Sequence, residues 1–390
     1  MVLNDFVVDK FNRMTPVVIY GAGVYGELCL RCLESVNIIP YAFADRRSDM
    51  THYMGIKVIA PEQIKNVKNA VVLLASVTYL KVIIDFLKHE GVDNYFIISS
   101  LLKLSINEDK LSDYTKGVRK LDREYEKAVE DIVNRKLRIS NIDLVVTQYC
   151  NLRCRDCGSL MPYYKTPHHF EAAYIVNSFD RLMFHINELD ELRILGGETF
   201  LYPNLTDIVS HYSTNTKIKK IYIYTNAVML PEEDVLRGIR SDKTCLRISD
   251  YGELSRNKTA LINSCEKNGI LYEILNENEW RDMGGVEKRS YTVTQLKNVF
   301  NKCENAKCPS FCNGRLYICP RAAHLEKIGI FQNKEFEVMD FSSEKKAARY
   351  TKKDIEDFLY GREYFEACYY CNGNNRWENL IPPAIQKTVG

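Results

Sequence analysis

Three cysteines stand close together in Cys150-Asn-Leu-Arg-Cys154-Arg-Asp-Cys157, a C-x3-C-x2-C spacing that follows the apolar residues Ile142, Leu144, Val145 and Val146. The pattern suits a loop at the end of a β-strand that wraps a metal centre. Thiolates are soft ligands, and both zinc and iron–sulfur clusters accept them. A structural zinc site asks for four ligands, usually as two C-x2-C pairs. Here no fourth Cys or His follows within a few residues; His168 and His169 come about ten residues later. Buried thiols without a ligand are the remaining alternative.

Two further groups could do chemistry. Gly196-Gly197-Glu198 offers glycines that let a backbone approach closely and a carboxylate that can satisfy an ammonium. Near the other end, Cys303, Cys308, Cys312, Cys319, Cys368 and Cys371 gather, the last two as a C-x2-C pair, and a four-cysteine zinc ribbon is one reading of them. The thirteen cysteines are many for a chain that uses none. The start, Met1-Val-Leu-Asn-Asp-Phe, lacks a secretory pattern, so metal ligation explains them better than disulfides, and the odd total fits poorly with full pairing.

The elements that must position these residues follow from periodicity. Strand-like runs at Asp143 to Thr147, Glu191 to Leu195, Lys219 to Tyr224, Cys245 to Ser249 and Ile270 to Ile274 alternate with helical stretches. One helix is marked by Ile175, Phe179, Leu182, Ile186 and Leu189 at steps of four and three. Alternation of this kind predicts a parallel sheet closed or partly closed into a barrel, with its site at the carboxyl ends of the strands. The cysteine loop, the Gly-Gly-Glu, Thr225-Asn226 and Ser249-Asp250 all fall at such ends.

Before this region, Val17-Val-Ile-Tyr20 leads into Gly21-Ala-Gly23-Val-Tyr-Gly26, a helical pattern, a second strand-like run from Ile38 to Ala44, and Asp45. That order of strand, G-x-G-x-x-G turn, helix, strand and acid predicts a small doubly wound, Rossmann-like sheet, with further strands at Ala70 to Ala75 and Tyr95 to Ser99. Gly21, Gly23 and Gly26 would let a phosphate approach a helix amino terminus, with Asp45 on a ribose hydroxyl. Alternatively the glycines only make a tight turn. From Ser105 to Ser140 charges of both signs interleave with Leu121, Tyr125, Val129, Ile132 and Val133, which reads as a connecting helix.

Length and charge set the bounds. A chain of 390 residues holds two or three domains. The net charge of +2, from 53 basic and 51 acidic residues, argues against a nucleic-acid or membrane-surface protein. No apolar run approaches the roughly 18 residues of a membrane span, and a cytoplasmic location is expected.

With its C-x3-C-x2-C loop and the Gly-Gly-Glu one strand later, the chain resembles the radical S-adenosylmethionine (SAM) superfamily. The resemblance implies an α/β fold: a partial (β/α)6 barrel over residues 141–300, preceded by the Rossmann-like domain at 1–104 and a charged helical linker at 105–140. It implies a four-iron four-sulfur cluster on Cys150, Cys154 and Cys157, whose open iron chelates SAM and whose electron splits it to methionine and a 5′-deoxyadenosyl radical. Gly196, Gly197 and Glu198 would receive the methionine amino group, and Asn226 and Ser249 would touch the ribose and carboxylate. Asp156 stands where the family generally has an aromatic residue beside the adenine.

The order Cys303, Gly314, Cys319, Cys368, Cys371 resembles the auxiliary-cluster (SPASM/twitch) extension of the same superfamily, here residues 301–390, with G-x4-C in place of the general G-x5-C. It implies a second four-iron cluster on Cys319, Cys368, Cys371 and one of Cys303 and Cys308. Likeness to single-auxiliary-cluster alcohol dehydrogenases of aminocyclitols implies that the radical takes hydrogen from a carbinol carbon, a base takes the hydroxyl proton and the second cluster accepts the remaining electron. Dehydration and epimerisation can begin from the same substrate radical, and maturation of a ribosomal peptide is a further alternative. An external one-electron reductant such as flavodoxin or ferredoxin is implied. The pattern "IYGAG…G…FAD…G…V…PEQI", here Ile19 to Gly26, Phe43 to Asp45, Gly55, Val58 and Pro61 to Ile64, resembles small domains of bacterial enzymes of sugar and surface-glycan assembly. It points the substrate expectation toward a carbohydrate or nucleotide-linked sugar. Tyr163, Tyr164, His168, His169, Arg321 and His324 are the candidate bases. The tail from Trp377 onward carries no recognisable chemistry.

Overall fold

The computed structural model of the chain describes residues 3–8, 11–12, 14–47, 49–117, 121–375 and 379–387, the side chain of residue 307 apart. Trp377 lies outside them. The chain divides into two units, Met1–Lys136 and Leu137–Gly390.

The first unit runs β1 (Val17–Tyr20), α1 (Val24–Ser35), β2 (Ala42–Ala44), β3 (His52–Tyr53), β4 (Ile56–Ile59), β5 (Val71–Leu74), α2 (Leu80–His89), β6 (Tyr95–Phe96), α3 (Asp113–Gly117) and α4 (Leu121–Val133). The strands pair in the order β3-β4-β2-β1-β5-β6, parallel throughout except for β3 with β4. β1 and β5 are buried along their whole length, as central strands covered on both faces must be. At the β1–α1 turn a Cβ on Gly26 would stand 2.1 Å from the Gly21 carbonyl oxygen, so glycine is what lets α1 start there.

The charged stretch packs into this unit. Tyr125, Ala128, Val129 and Ile132 fall at helical spacing on one side of α4 and join the core of β1, β5 and α1, leaving the charges on the other side. Tyr125 is fully buried; its hydroxyl donates to the Leu74 carbonyl at 2.5 Å and accepts from the Ile98 N–H at 3.2 Å.

The second unit begins with β7 (Arg138–Thr147), α5 (Ala172–His185), β8 (Glu188–Gly196), α6 (Leu205–Ser213), β9 (Ile218–Thr225), α7 (Glu233–Gly238), β10 (Thr244–Asp250), α8 (Lys258–Asn268) and β11 (Leu271–Asn276). β12 (Trp280–Arg281), α9 (Val293–Lys302), β13 (Ser310–Cys312), β14 (Arg315–Tyr317), α10 (Pro320–Lys327), β15 (Met339–Asp340) and, after further helical turns, β16 (Leu380–Ile381) follow. The large sheet has the order β11-β10-β9-β8-β7-β13-β14-β15, with β7 to β11 parallel, and β13 parallel to β7 on its other side. The sixth parallel strand thus lies beside the first. β13 and β14 turn at Asn313-Gly314, whose φ of 49° and 75° make the left-handed two-residue turn that suits a hairpin.

One face of the sheet carries Leu144, Val146, Leu192, Ile194, Ile221, Ile223, Leu246 and Ile248 and packs on the helices, Phe179 and Leu182 of α5 among them. The stripe expected for that helix ends early, because Ile186 is its extended C-cap and Leu189 lies in β8, paired with Ile218 of β9. The other face alternates to Asp143, Arg193, Tyr222, Tyr224 and Arg247, so the strands are apolar on one side and polar on the other. Among the described residues no helix is long and apolar enough to cross a membrane.

Replacing Tyr125 by Phe removes both hydroxyl bonds and leaves a buried carbonyl and N–H without them. A loss of about 1–3 kcal/mol is expected, read as a lower urea midpoint at unchanged slope.

Candidate active site

Beyond β7 the chain turns through the first cysteine loop. Cys150, Cys154 and Cys157 share an apolar cluster with Leu152, Val228, Tyr251, Trp280 and Ala384. The Leu152 N–H donates to Cys150 Sγ at 3.4 Å, and the Gln386 side-chain amide donates to Cys154 Sγ at 3.2 Å. Burial pushes the Cys150 thiol up to about 12 and that of Cys154 to about 11, so both lose a proton on taking up a metal. Asp156, one residue before Cys157, pairs with Arg155 at 2.9 Å.

Glycine is what brings the end of β8 against this loop. A Cβ on Gly196 would stand 2.4 Å from the Thr147 carbonyl oxygen, and one on Gly197 2.1 Å from the Tyr149 carbonyl oxygen and 2.7 Å from Cys150 Cβ. The Gly197 and Glu198 N–H groups donate to Thr147 O at 3.2 Å and Tyr149 O at 2.8 Å. The Glu198 carboxylate is buried and accepts from the N–H of Phe200 at 3.0 Å and of Asn226 at 2.8 Å, stapling the ends of β8 and β9. Burial raises its pKa, and those N–H bonds work against the rise. Asn226 reaches back to Asn151 Oδ1 at 2.8 Å and to Cys150 Sγ at 4.0 Å. The Ser255 hydroxyl bonds to the carbonyls of Asn226 and Ser249 at 2.8 and 3.1 Å, tying β9 to β10.

The later cysteines divide. Cys303, Cys319, Cys368 and Cys371 line one pocket with Phe300 and Arg321. Their sulfurs also receive backbone donors: Asn374 N–H to Cys303 at 3.3 Å, Ala322 N–H to Cys319 at 3.4 Å and Gly373 N–H to Cys371 at 3.2 Å. Cys308 lies elsewhere, with Arg193 donating to its sulfur at 3.8 Å. Cys312 is buried within β13. Among the described residues no three His, Cys, Asp or Glu side chains are drawn together as around a single metal ion, so in neither group do the thiols converge on a point. Soft donors in apolar surroundings, with N–H groups aimed at sulfur, fit iron–sulfur clusters.

Of the candidate bases, His324 is fully buried, with Tyr164 Oη 2.6 Å from its Nδ1 and no partner at Nε2; burial holds its pKa down at about 3, so the ring is neutral. Arg321 donates to the Tyr370 carbonyl at 2.8 Å, and its charge is felt by both Cys157 and Cys319. His169 Nδ1 stands 2.9 Å from Thr147 Oγ1, the His168 N–H donates to the Gln148 side chain at 3.3 Å, and Lys387 lies 4.0 Å over the Tyr163 ring.

The polar face of the sheet carries no motif in the sequence. Arg247 stacks 3.4 Å over Tyr222, donates to Tyr224 Oη at 2.8 Å and pairs with Glu273 at 2.9 Å, while Arg193 pairs with Glu191 at 2.6 Å. Asp143 is buried beside them with one carboxylate oxygen unpartnered, and burial pushes its pKa to about 7 against the pull of Arg193. Asn151, Ser255 and Gln386 carry no signal in the sequence, since each is distant along the chain from the group it touches.

In the first unit, the Asp45 carboxylate accepts from the Ala22 N–H at 2.8 Å and pairs with Arg47 at 2.9 Å. Burial pushes it up, but the bonds and charge of Arg47 hold it below the usual carboxylate range. The carboxylate expected on a ribose is thus already engaged with the glycine turn. A Cβ on Gly23 would meet nothing within 4 Å, unlike one on Gly21 or Gly26.

A family model described as the radical SAM superfamily matches residues 144–246. A GTP 3′,8-cyclase of Desulforamulus reducens is 30% identical over 103 residues, which is 26% of this chain and 31% of that protein, so the match spans under a third of the relative's length. Among solved structures, BtrN in complex with AdoMet and 2-DOIA is similar over 62% of this chain and 98% of that one, at 14% identity and a TM-score of 0.39. Streptococcus suis SuiB bound to S-adenosylmethionine is similar over 50% and 46%, at 16% identity and a TM-score of 0.30.

Two outcomes are expected. Gly197→Ala forces its Cβ into the Tyr149 carbonyl and displaces the cysteine loop, costing roughly 2–4 kcal/mol and most of the iron uptake, measured by thermal melting and iron content. A carboxyl raised in the folded state stabilises below its unfolded pKa, and that contribution is lost as pH climbs through the folded value. Asp143→Asn should therefore gain stability relative to the parent chain between pH 5 and pH 8, by about 2–4 kcal/mol, in urea titrations at the two pH values.

Proposed function

We propose, from a chain whose residues 144–246 belong to the radical SAM superfamily, that the second unit oxidises an alcohol carbon of a carbohydrate or nucleotide-linked sugar. Cys150, Cys154 and Cys157 would hold a four-iron cluster with one open iron, and Cys303, Cys319, Cys368 and Cys371 a second one. When bound, the clusters would supply the electron that splits SAM to methionine and a 5′-deoxyadenosyl radical, and an acceptor for the electron left on the substrate.

The observation that carries this reading is the packing of Gly196-Gly197-Glu198 onto the cysteine loop. It sets a buried carboxylate beside Cys150, held in place by the N–H groups of Phe200 and Asn226. A carboxylate at that strand end suits the ammonium of SAM, and Asn226 and Ser249 at the neighbouring strand ends suit its ribose and carboxylate. Cys303 is favoured over Cys308 as the fourth ligand because it lines the same pocket as the other three. The substrate class draws support from the polar face of the sheet, where Arg193, Tyr222, Tyr224 and Arg247 offer donors and ring faces suited to hydroxyl groups. An external one-electron donor completes the scheme.

Anaerobic reconstitution should give roughly eight irons per chain and release of 5′-deoxyadenosine from SAM. Cys150→Ala should abolish the release. Cys303→Ala should halve the iron content while Cys308→Ala leaves it intact. Stoichiometric zinc in place of iron, or SAM cleavage by the Cys150→Ala protein, overturns the assignment.

A further inference from the structure

The segment after the second cysteine pocket returns to the first. β16 pairs antiparallel with β12, Trp280 opposite Ile381, and the chain then runs across the cysteine loop as a short strap. Cys154 and Gln386 form an antiparallel bridge. The Arg155 N–H donates to Ile385 O at 2.7 Å, the Lys387 N–H donates to Arg153 O at 2.8 Å, and Ala384 is buried among Leu152, Cys154 and Val228.

The strap fixes the direction of one side chain. Gln386 Oε1 accepts from the Arg153 N–H at 2.7 Å, which only the oxygen end of an amide can do. The nitrogen end therefore faces the other way, and its two hydrogens serve the Ala384 carbonyl at 2.7 Å and Cys154 Sγ at 3.2 Å. Each polar group of the amide is thus used, and one of them is aimed at sulfur. Hydrogen bonds to ligand sulfurs are among the factors that set the potential of an iron–sulfur cluster, because a donor stabilises the more negative, reduced state.

We infer that Gln386 is a positioning residue of the first cluster: it locks the cysteine loop through Arg153 and, by its N–H bond to Cys154, holds the cluster's reduction potential higher than the loop alone would. This rests on the radical SAM reading of that loop. Gln386→Glu keeps an oxygen for the Arg153 N–H, loses the donor to sulfur and adds negative charge; Gln386→Met keeps the size and removes both functions.

The test is a potentiometric titration of the reconstituted full chain, followed by electron paramagnetic resonance on the signal that SAM perturbs, with iron content measured alongside. The midpoint should move to more negative potential in Gln386→Met and further in Gln386→Glu, with iron content in Gln386→Glu matching the parent. An unmoved midpoint in both variants overturns the inference while leaving the radical SAM reading intact. A parent chain with no SAM-responsive cluster overturns both.

Discussion

The second unit depends on a contact between two backbones. The end of β8 lies so close to the turn after β7 that no side chain fits between them, and Gly196 and Gly197 are the residues that permit it. From that approach follow the donation of the Glu198 N–H to Tyr149, the burial of the Glu198 carboxylate and its staple to Asn226, and the link from Asn226 back to the cysteine loop. Ser255 extends the chain of bonds to β10. The ends of four parallel strands are thereby tied together by a few short polar bonds.

What the amino-acid sequence made legible was local. Cysteine spacing, the double glycine and the strand–helix alternation are short-range patterns, and the alternation reappears as parallel strands in the second unit. The position of β13 beside β7 was not legible, because pairing across more than 160 residues leaves no spacing to read. The polar face of the sheet was hidden by the same habit: an apolar run such as Leu144 to Val146 draws attention from the alternate residues, among them Asp143 and Arg193. The charged stretch before the sheet shows the opposite case, in which a few apolar residues at helical spacing, Tyr125 above all, decide what a mostly charged helix packs on.

Gln386 carries no motif in the sequence. It touches Cys154 across 232 residues, from a segment with no catalytic pattern of its own. Only the fold brings its amide to the sulfur, and only the Arg153 N–H on its other end shows which way the amide faces. Side-chain amides of this kind are silent in sequence because their function lies in direction, which residue type alone does not carry.

The parallel pairing of β13 with β7 has a mechanical meaning. β7 ends at the first cysteine loop, while β13 leads through its hairpin to Cys319 at the wall of the second pocket. The first loop thus follows β7 and Cys319 follows β14, two strands away in the same hydrogen-bonded sheet, whose neighbouring strands lie about 4.8 Å apart. Because β13 pairs directly with β7, any slip in that one pairing would shift the chain leading to the second group of cysteines against the strand that ends at the first.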